Sequence, residues 1–173
     1  MTTLNIRGAR REDADAIVAL VNKVADEDRS LGVDRFPLTV EAQAQFSAAA
    51  DPLVHLLLAA TVDEDLAGYL YASRGTSDAL AHVSSMAIAV ARDARGKGVG
   101  KALVQAMRNW AQVVGVRKLT LSVLETNVLA RAFFERSGYQ VEGVRKGQFY
   151  VGGQDVDELL MAAWLGQGGP NHG

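Results

Sequence analysis

The sequence predicts a mixed α/β (α+β) domain in which one sheet is flanked by helices. Apolar runs that suit strands alternate along the chain with stretches whose apolar residues recur at i, i+3, i+4 and i+7. A glycine-rich turn falls between a predicted strand and a predicted helix. Of the 173 residues, 49% are hydrophobic and none is cysteine, so one core can form without a disulfide or a thiolate metal site.

Taken in order, Leu4 and Ile6 among polar neighbours mark a short first strand. Ile17, Leu20, Val21 and Val24 then form the stripe of an amphipathic helix from about Glu12 to Glu27. Asp28 to Leu38 has no period and contains Gly32 and Pro37, so it reads as a loop. Thr39 can cap a second helix through about Ala50, with Glu41 in the favourable first turn. Leu53–Val62 and Leu66–Arg74 are strand-like runs joined by Asp63-Glu64-Asp65, and a further strand covers about Ala81–Ala91.

After Gly98, a stripe of Val99, Ala102, Leu103, Ala106, Trp110 and Val113 predicts a helix ending at Gly115, with Trp110 in the core. Val116–Leu124 reads as a buried strand. Thr126 or Asn127 caps a helix that stops at Gly138, and strands over Tyr139–Val151 and Asp155–Leu165 meet at Gly152-Gly153. No repeat or linker divides the chain, so residues 1–165 form one domain, followed by a Gly/Pro-rich tail, 166–173, expected to be disordered.

Several function classes drop out. Without cysteine there is no thiol nucleophile for acyl transfer. A net charge of −2 supplies no basic field for DNA or RNA. The longest apolar runs fall well short of the roughly 20 residues of a membrane span, and the N-terminus has no secretory h-region, so a cytoplasmic protein is expected.

The most informative segment is Val90-Ala91-Arg92-Asp93-Ala94-Arg95-Gly96-Lys97-Gly98-Val99-Gly100-Lys101. Glycines let the backbone curl closely there, and the first N–H groups of the helix have no internal partner. Such a nest suits phosphate oxygens, and Arg95, Lys97 and Lys101 add positive charge beside it; a flexible basic turn is the plainer alternative. A P-loop would need Ser or Thr where Ala102 stands and Gly at Arg95. A dinucleotide fingerprint would need Gly at Leu103, or Gly or Ala at Lys101.

Arg95-x-x-Gly98-x-Gly100 after a strand resembles the pyrophosphate loop of the GNAT acetyltransferase superfamily. Asn127-x-x-Ala130, Phe133-Phe134 and Gly138-Tyr139 resemble its next motif, in the right order. The resemblance extends over about Leu4 to Leu165. The ending Val156–Met161 is similar to enzymes acting on amino acids, polyamines or ribosomal-protein N-termini.

The resemblance implies a mostly antiparallel twisted sheet with a splayed parallel strand pair, Ser85–Ala91 against Leu119–Leu124. Acetyl-CoA would be the cosubstrate and no metal would be involved. Its pantetheine arm would lie on backbone groups of Met86, Ile88 and Val90. Its pyrophosphate would sit on Arg95, Gly96, Lys97, Gly98, Val99, Gly100 and Lys101. Asn127 would contact the arm near the thioester and Arg131 the nucleotide end, although Asn127 also reads as a helix cap and Arg131 as a solvated charge.

Transfer would be direct attack of a neutral amine on the thioester, whose carbonyl the N–H of Ile88 or a neighbour would polarise. Phe134 and Ser85 stand where many relatives place a Tyr acid and some a Glu base. Ser85, Glu27 and Tyr139 are the catalytic candidates, with Asp28, His82 and Tyr150 as further replacement bases. Asp26, Glu27 and Asp28 at a helix C-terminus oppose its dipole and hint at a cationic acceptor, unless the helix ends earlier and they are loop charges. His55 and His82 read as packing or surface residues.

Deprotonating a lysine-like amine at pH 7 costs roughly 4 to 5 kcal/mol, against about 1 kcal/mol for an α-amine, so weak basic machinery favours the α-amine of an amino acid or peptide. The alternatives are a polyamine acetyltransferase, a non-catalytic CoA-binding module and a longer acyl donor. A homodimer through the late strands is a further expectation.

Overall fold

The computed structural model describes residues 3–27 and 38–166. Along the chain run β1 (Leu4–Gly8), α1 (Ala14–Glu27), α2 (Val40–Ala49), β2 (His55–Val62), β3 (Asp65–Arg74) and β4 (Val83–Val90). They are followed by α3 (Val99–Val113), β5 (Lys118–Leu124), α4 (Val128–Arg136), β6 (Gln140–Val151) and β7 (Gln154–Trp164). The loop expected from Asp28 lies outside the described residues as far as Pro37, and so does the tail beyond Gly166.

One seven-stranded sheet runs in the order β1-β2-β3-β4-β5-β7-β6. Every neighbouring pair is antiparallel except β4–β5, which is parallel. The expected class and strand arrangement are those observed.

Local chemistry explains the joints. Both nitrogens of the Arg7 guanidinium fork donate to Asp13, at 2.6 and 2.7 Å, and Asp13 also accepts the Arg10 N–H at 2.7 Å. This pins β1 to the single 3-10 turn, Arg11–Asp13, that precedes α1. Thr39 Oγ1 accepts the Ala42 N–H at 3.2 Å, as the cap of α2 requires.

The β2–β3 turn is shorter than expected. Val62 pairs with Asp65, so only Asp63 and Glu64 form it, with φ of 50° and 76°. Two left-handed residues match the twist of the flanking strands, and aspartate tolerates that region better than most residues.

The sheet carries a core on each face. On one side Leu58, Leu70, Met86, Leu119, Leu121 and Met161 pack with α3 and with Phe134 and Tyr139. On the other, Ile17, Leu20 and Val24 of α1 cover Leu57, Tyr69 and Ala89. The stripe of α3 is rotated from the sequence expectation: Val99, Leu103, Val104, Met107 and Ala111 are buried, whereas Val113 is exposed. Trp110 flanks the core, donating its indole N–H to the Pro52 carbonyl at 2.7 Å. Alanines at 102 and 106 fit a helix flank as readily as a core, so their spacing misplaced the face by part of a turn.

Candidate active site

β4 and β5 share three rungs, Val83–Lys118, Ser84–Leu119 and Ser85–Thr120. Beyond Ser85 they separate, although β4 stays paired with β3 as far as Val90–Gly68 and β5 with β7 as far as Leu124–Glu158. Each strand is thus held along its outer edge while the inner edges diverge.

The direction of the freed backbone follows from the ladder. The Val83 carbonyl accepts from Gly75 and the Ala91 N–H donates to Ala67, so odd-numbered residues of β4 turn their backbone groups toward β3. Met86, Ile88 and Val90 turn theirs into the opening. Side chains alternate in the same rhythm: Met86 is buried in the α3-side core, and Ser85 and Ala87 are exposed on the α1 side.

The glycine-rich loop leaves β4 at the mouth of this wedge. Gly96 and Gly98 have φ of 76° and 87°, which side chains rarely adopt, and Gly98 caps α3. The Ala102 N–H is bonded to the Gly98 carbonyl at 2.9 Å, so the N–H groups of Val99, Gly100 and Lys101 ahead of it lie in the unpaired first turn. Arg95, Lys97 and Lys101 are exposed around them, and Arg95 Nε donates to the Val90 carbonyl at 3.1 Å.

Two loop residues have a packing role that the motif did not reveal. Val99 is only 1% exposed, so its side chain belongs to the core and only its N–H faces the loop. A Cβ on Gly100 would lie 3.2 Å from Phe133 Cζ, so this glycine lets α4 approach α3.

Asn127 is the cap of α4: its Oδ1 accepts the Ala130 N–H at 3.0 Å, which leaves the Nδ2 amide as its donor. Arg131 pairs with Glu135 one turn later, at 2.9 Å. Phe134 is buried between Phe133 and Tyr139, with ring centroids 5.1 and 5.5 Å away.

Tyr139 must be corrected from catalytic candidate to core residue. It is 1% exposed, its hydroxyl donates to Met86 Sδ at 3.4 Å, and burial pushes its pKa up to about 12. A phenol so placed is a poor base and has no path to an acceptor.

Of the remaining candidates, Ser85 stands exposed on the last β4–β5 rung. Glu27 ends α1 in an ion pair with Lys23 at 3.9 Å. His82 precedes β4, and its carbonyl accepts the N–H groups of Arg117 and Lys118. Tyr150 is 75% exposed near the β6–β7 turn, away from the last β4–β5 rung. Asp28 lies outside the described residues.

The sequence reading missed one cluster. Tyr71 Oη lies 3.2 Å from His55 Nδ1, the two rings stack with centroids 6.0 Å apart, and Phe46 of α2 meets both edge-on. Its signal is visible only once the β2–β3 register places His55 diagonally across from Tyr71. Among the described residues, no three His, Asp or Glu side chains gather as around a metal ion, and no helix is long and apolar enough to cross a membrane.

The acetyltransferase (GNAT) family model matches residues 22–139. The chain belongs to the GNAT acetyltransferase family. It is 31% identical over 103 residues to MJ1530 of Methanocaldococcus jannaschii, an uncharacterized N-acetyltransferase, covering 59% of this chain and 62% of that one. To the L-amino acid N-acetyltransferase AaaT of Escherichia coli it is 28% identical over 109 residues, covering 61% and 65%. These matched segments therefore span less than two thirds of either relative. The GNAT acetyltransferase of Streptococcus pneumoniae superposes with a TM-score of 0.86 at 26% identity, covering 95% of this chain and 100% of that one.

Proposed function

We propose that this acetyltransferase transfers an acetyl group from acetyl-CoA directly to a primary amine, and that the acceptor is the α-amine of an amino acid or peptide. The observation that carries the donor half is the parting of β4 and β5 beyond Ser85 and Thr120, directly beside the left-handed glycines that open α3. The chain's groups fit such a donor: an unpaired strand edge suits the amides of a pantetheine arm, and a cationic helix N-terminus suits a pyrophosphate.

In this reading Met86, Ile88 and Val90 hold the arm through their backbone. The loop from Arg95 to Lys101 holds the phosphates through N–H groups and exposed cations, and the Asn127 amide is available to the arm. The bound thioester supplies the activated acyl group. The Ile88 N–H, facing the opening, polarises its carbonyl.

The acceptor half rests on two supports. Ser85 leaves β4 without a carboxylate base, which favours an amine that gives up its proton cheaply. AaaT, an L-amino acid N-acetyltransferase by name, is among the similar proteins.

The test is to follow thiol release from acetyl-CoA with a panel of amino acids, N-terminal peptides and polyamines. Turnover is expected with an α-amine. Tight acetyl-CoA binding without turnover on any amine would overturn the catalytic reading, and preference for a polyamine would overturn the acceptor class.

A further inference from the structure

We infer that Tyr71 and His55 form the proton path of the acceptor site, with Tyr71 taking the proton from the incoming ammonium group and His55 receiving Tyr71's own. This rests on the proposed transfer to an amine.

The placement follows from register. Tyr71 is opposite Leu57 of β2 and Ala87 of β4. Directly opposed side chains on one sheet face have Cβ atoms about 4.5–5.5 Å apart. Ala87 and Ser85 are both exposed on that face, and Met86 and Ile88, which alternate with them, open to the wedge. Tyr71 therefore borders a bare, small-residue floor beside the wedge on the α1 face, and this is where the inference seats the acceptor amine.

His55 gives the phenol somewhere to send a proton. With Tyr71 Oη donating to Nδ1 at 3.2 Å, a lone pair on the phenol oxygen stays available to an ammonium N–H. Phe46, with centroids 5.3 and 5.7 Å from the two rings, fixes both rotamers. Around the pair stand Phe46 from α2, Leu57 from β2, Ala87 from β4 and Tyr69 from β3. Tyr69 is the titratable member of that set. It is hydrogen-bonded to Gln43 at 3.3 Å, and burial pushes it up to about 12, so it remains a neutral phenol. The nearby Asp51 holds the His55 N–H through its main-chain carbonyl, at 2.7 Å.

The step balances as follows. The ammonium N–H proton moves to Tyr71 Oη as the phenol proton moves to His55 Nδ1, and the imidazolium releases its Nε2 proton to water. The freed lone pair attacks the thioester carbon, the C–N bond forms and the C–S bond breaks. The second amine proton leaves on the departing thiolate. Once the product has left, Nε2 takes a proton back from water while Nδ1 returns its own to Tyr71 Oη and Tyr71 gives its other proton to water in the vacated site, which restores the Nε2–H tautomer. Tyr71 is the catalytic residue; His55 acts through it and is a positioning residue.

The experiment compares wild type, Tyr71→Phe and His55→Gln on the best α-amine across a pH series, with acetyl-CoA affinity measured by calorimetry. Loss of the path lowers kcat/KM about 100-fold near pH 7. Above the substrate's own pKa, where the amine arrives already neutral, both variants return to within about threefold of wild type. Acetyl-CoA affinity stays unchanged. Imidazole 15N NMR of the free wild-type protein is expected to show His55 as the Nε2–H tautomer.

An equal loss at every pH, no loss at pH 7, or an Nδ1–H tautomer would overturn the inference while leaving the proposed function standing. If wild type binds acetyl-CoA yet acetylates no amine, the proposed function itself fails and this inference with it. Should Tyr71→Phe not fold, His55→Gln carries the same comparison.

Discussion

Gly68→Ala offers a severe test of how α3 is seated. A Cβ at this position on β3 would lie 2.9 Å from Val99 Cγ1, 3.0 Å from Leu103 Cδ1 and 3.4 Å from Ala60 Cβ. Val99 and Leu103 are 1% and 0% exposed, so neither can swing aside. Such overpacking costs about 1–3 kcal/mol, while replacing a strand glycine with alanine returns about 0.5–1 kcal/mol, so the net loss is about 0–2.5 kcal/mol. Urea unfolding reads it as a lower midpoint at unchanged slope. Val99→Ala alone should cost about 1.5–3 kcal/mol, but less in the Gly68→Ala background because the new methyl occupies part of the space, a coupling of about 1 kcal/mol. The first turn of α3 must shift to accept the methyl, so acetyl-CoA affinity falls as well. A Gly68→Ala protein more stable than wild type, or strict additivity with Val99→Ala, would refute the packing argument.

Other expectations probe separate parts of the chain. Gly98→Asp puts a side chain at φ of 87° and a carboxylate at the mouth of the wedge, so calorimetry should detect no acetyl-CoA binding; unchanged binding would mean the loop is not the phosphate site. Tyr139→Phe removes a buried hydroxyl whose partner is a weak thioether acceptor, so kcat/KM should stay within about threefold and stability within about 1 kcal/mol of wild type; a collapse in rate would return Tyr139 to the chemistry. Asp13 is held below the ordinary carboxylate range, first by its hydrogen bonds from Arg7 and then by that from the Arg10 N–H, against the opposing effect of burial. Its folded pKa lies below the unfolded one, so its stabilisation is complete above about pH 4 and fades as pH falls through the folded value. Asp13→Asn should therefore lower the urea midpoint near neutrality and flatten the acid limb of its pH dependence.

Much of the fold was legible because local and tertiary signals agree. Thr39 reads as a cap and is one, and of Thr126 and Asn127, both of which read as caps of α4, it is Asn127 that caps it. Gly96 and Gly98 read as turn glycines and adopt the left-handed region. The errors fall where a residue type is compatible with two surroundings. Alanines and a tryptophan on α3 fit either a flank or a core, and the stripe was set one partial turn away from Met107 and Ala111. Asp65 looked like a turn residue but closes the β2–β3 ladder, since an edge aspartate can pair through its backbone. Val99 reads both as loop motif and as the start of the α3 stripe and its side chain is in the core, whereas the packing role of Gly100 is not legible because motif spelling carries no information about which face of α3 meets Phe133. The Tyr71–His55 contact was invisible because it joins residues sixteen apart whose adjacency depends on strand register.

The wedge is also a statement about hydrogen-bond accounting. A strand edge whose N–H and C=O groups face an opening must find partners there or in water, and burying them unpaired is costly. Here the unpaired edge is confined to the stretch beyond Ser85, and both strands are secured by full ladders on their other sides. One wedge-facing carbonyl, that of Val90, takes Arg95 Nε from the very loop whose charges suit a pyrophosphate. In the proposed donor site Arg95 would link the loop to the strand edge: a pyrophosphate that drew its guanidinium away would also free the Val90 carbonyl for the arm. If that coupling holds, Arg95→Lys, which keeps the charge but loses the Nε–H, should weaken acetyl-CoA binding less than Arg95→Ala, because charge attraction survives while the geometry of the carbonyl contact does not. Wild-type affinity in Arg95→Lys would mean that the carbonyl contact plays no part, and equal loss in the two variants would mean that the charge plays none.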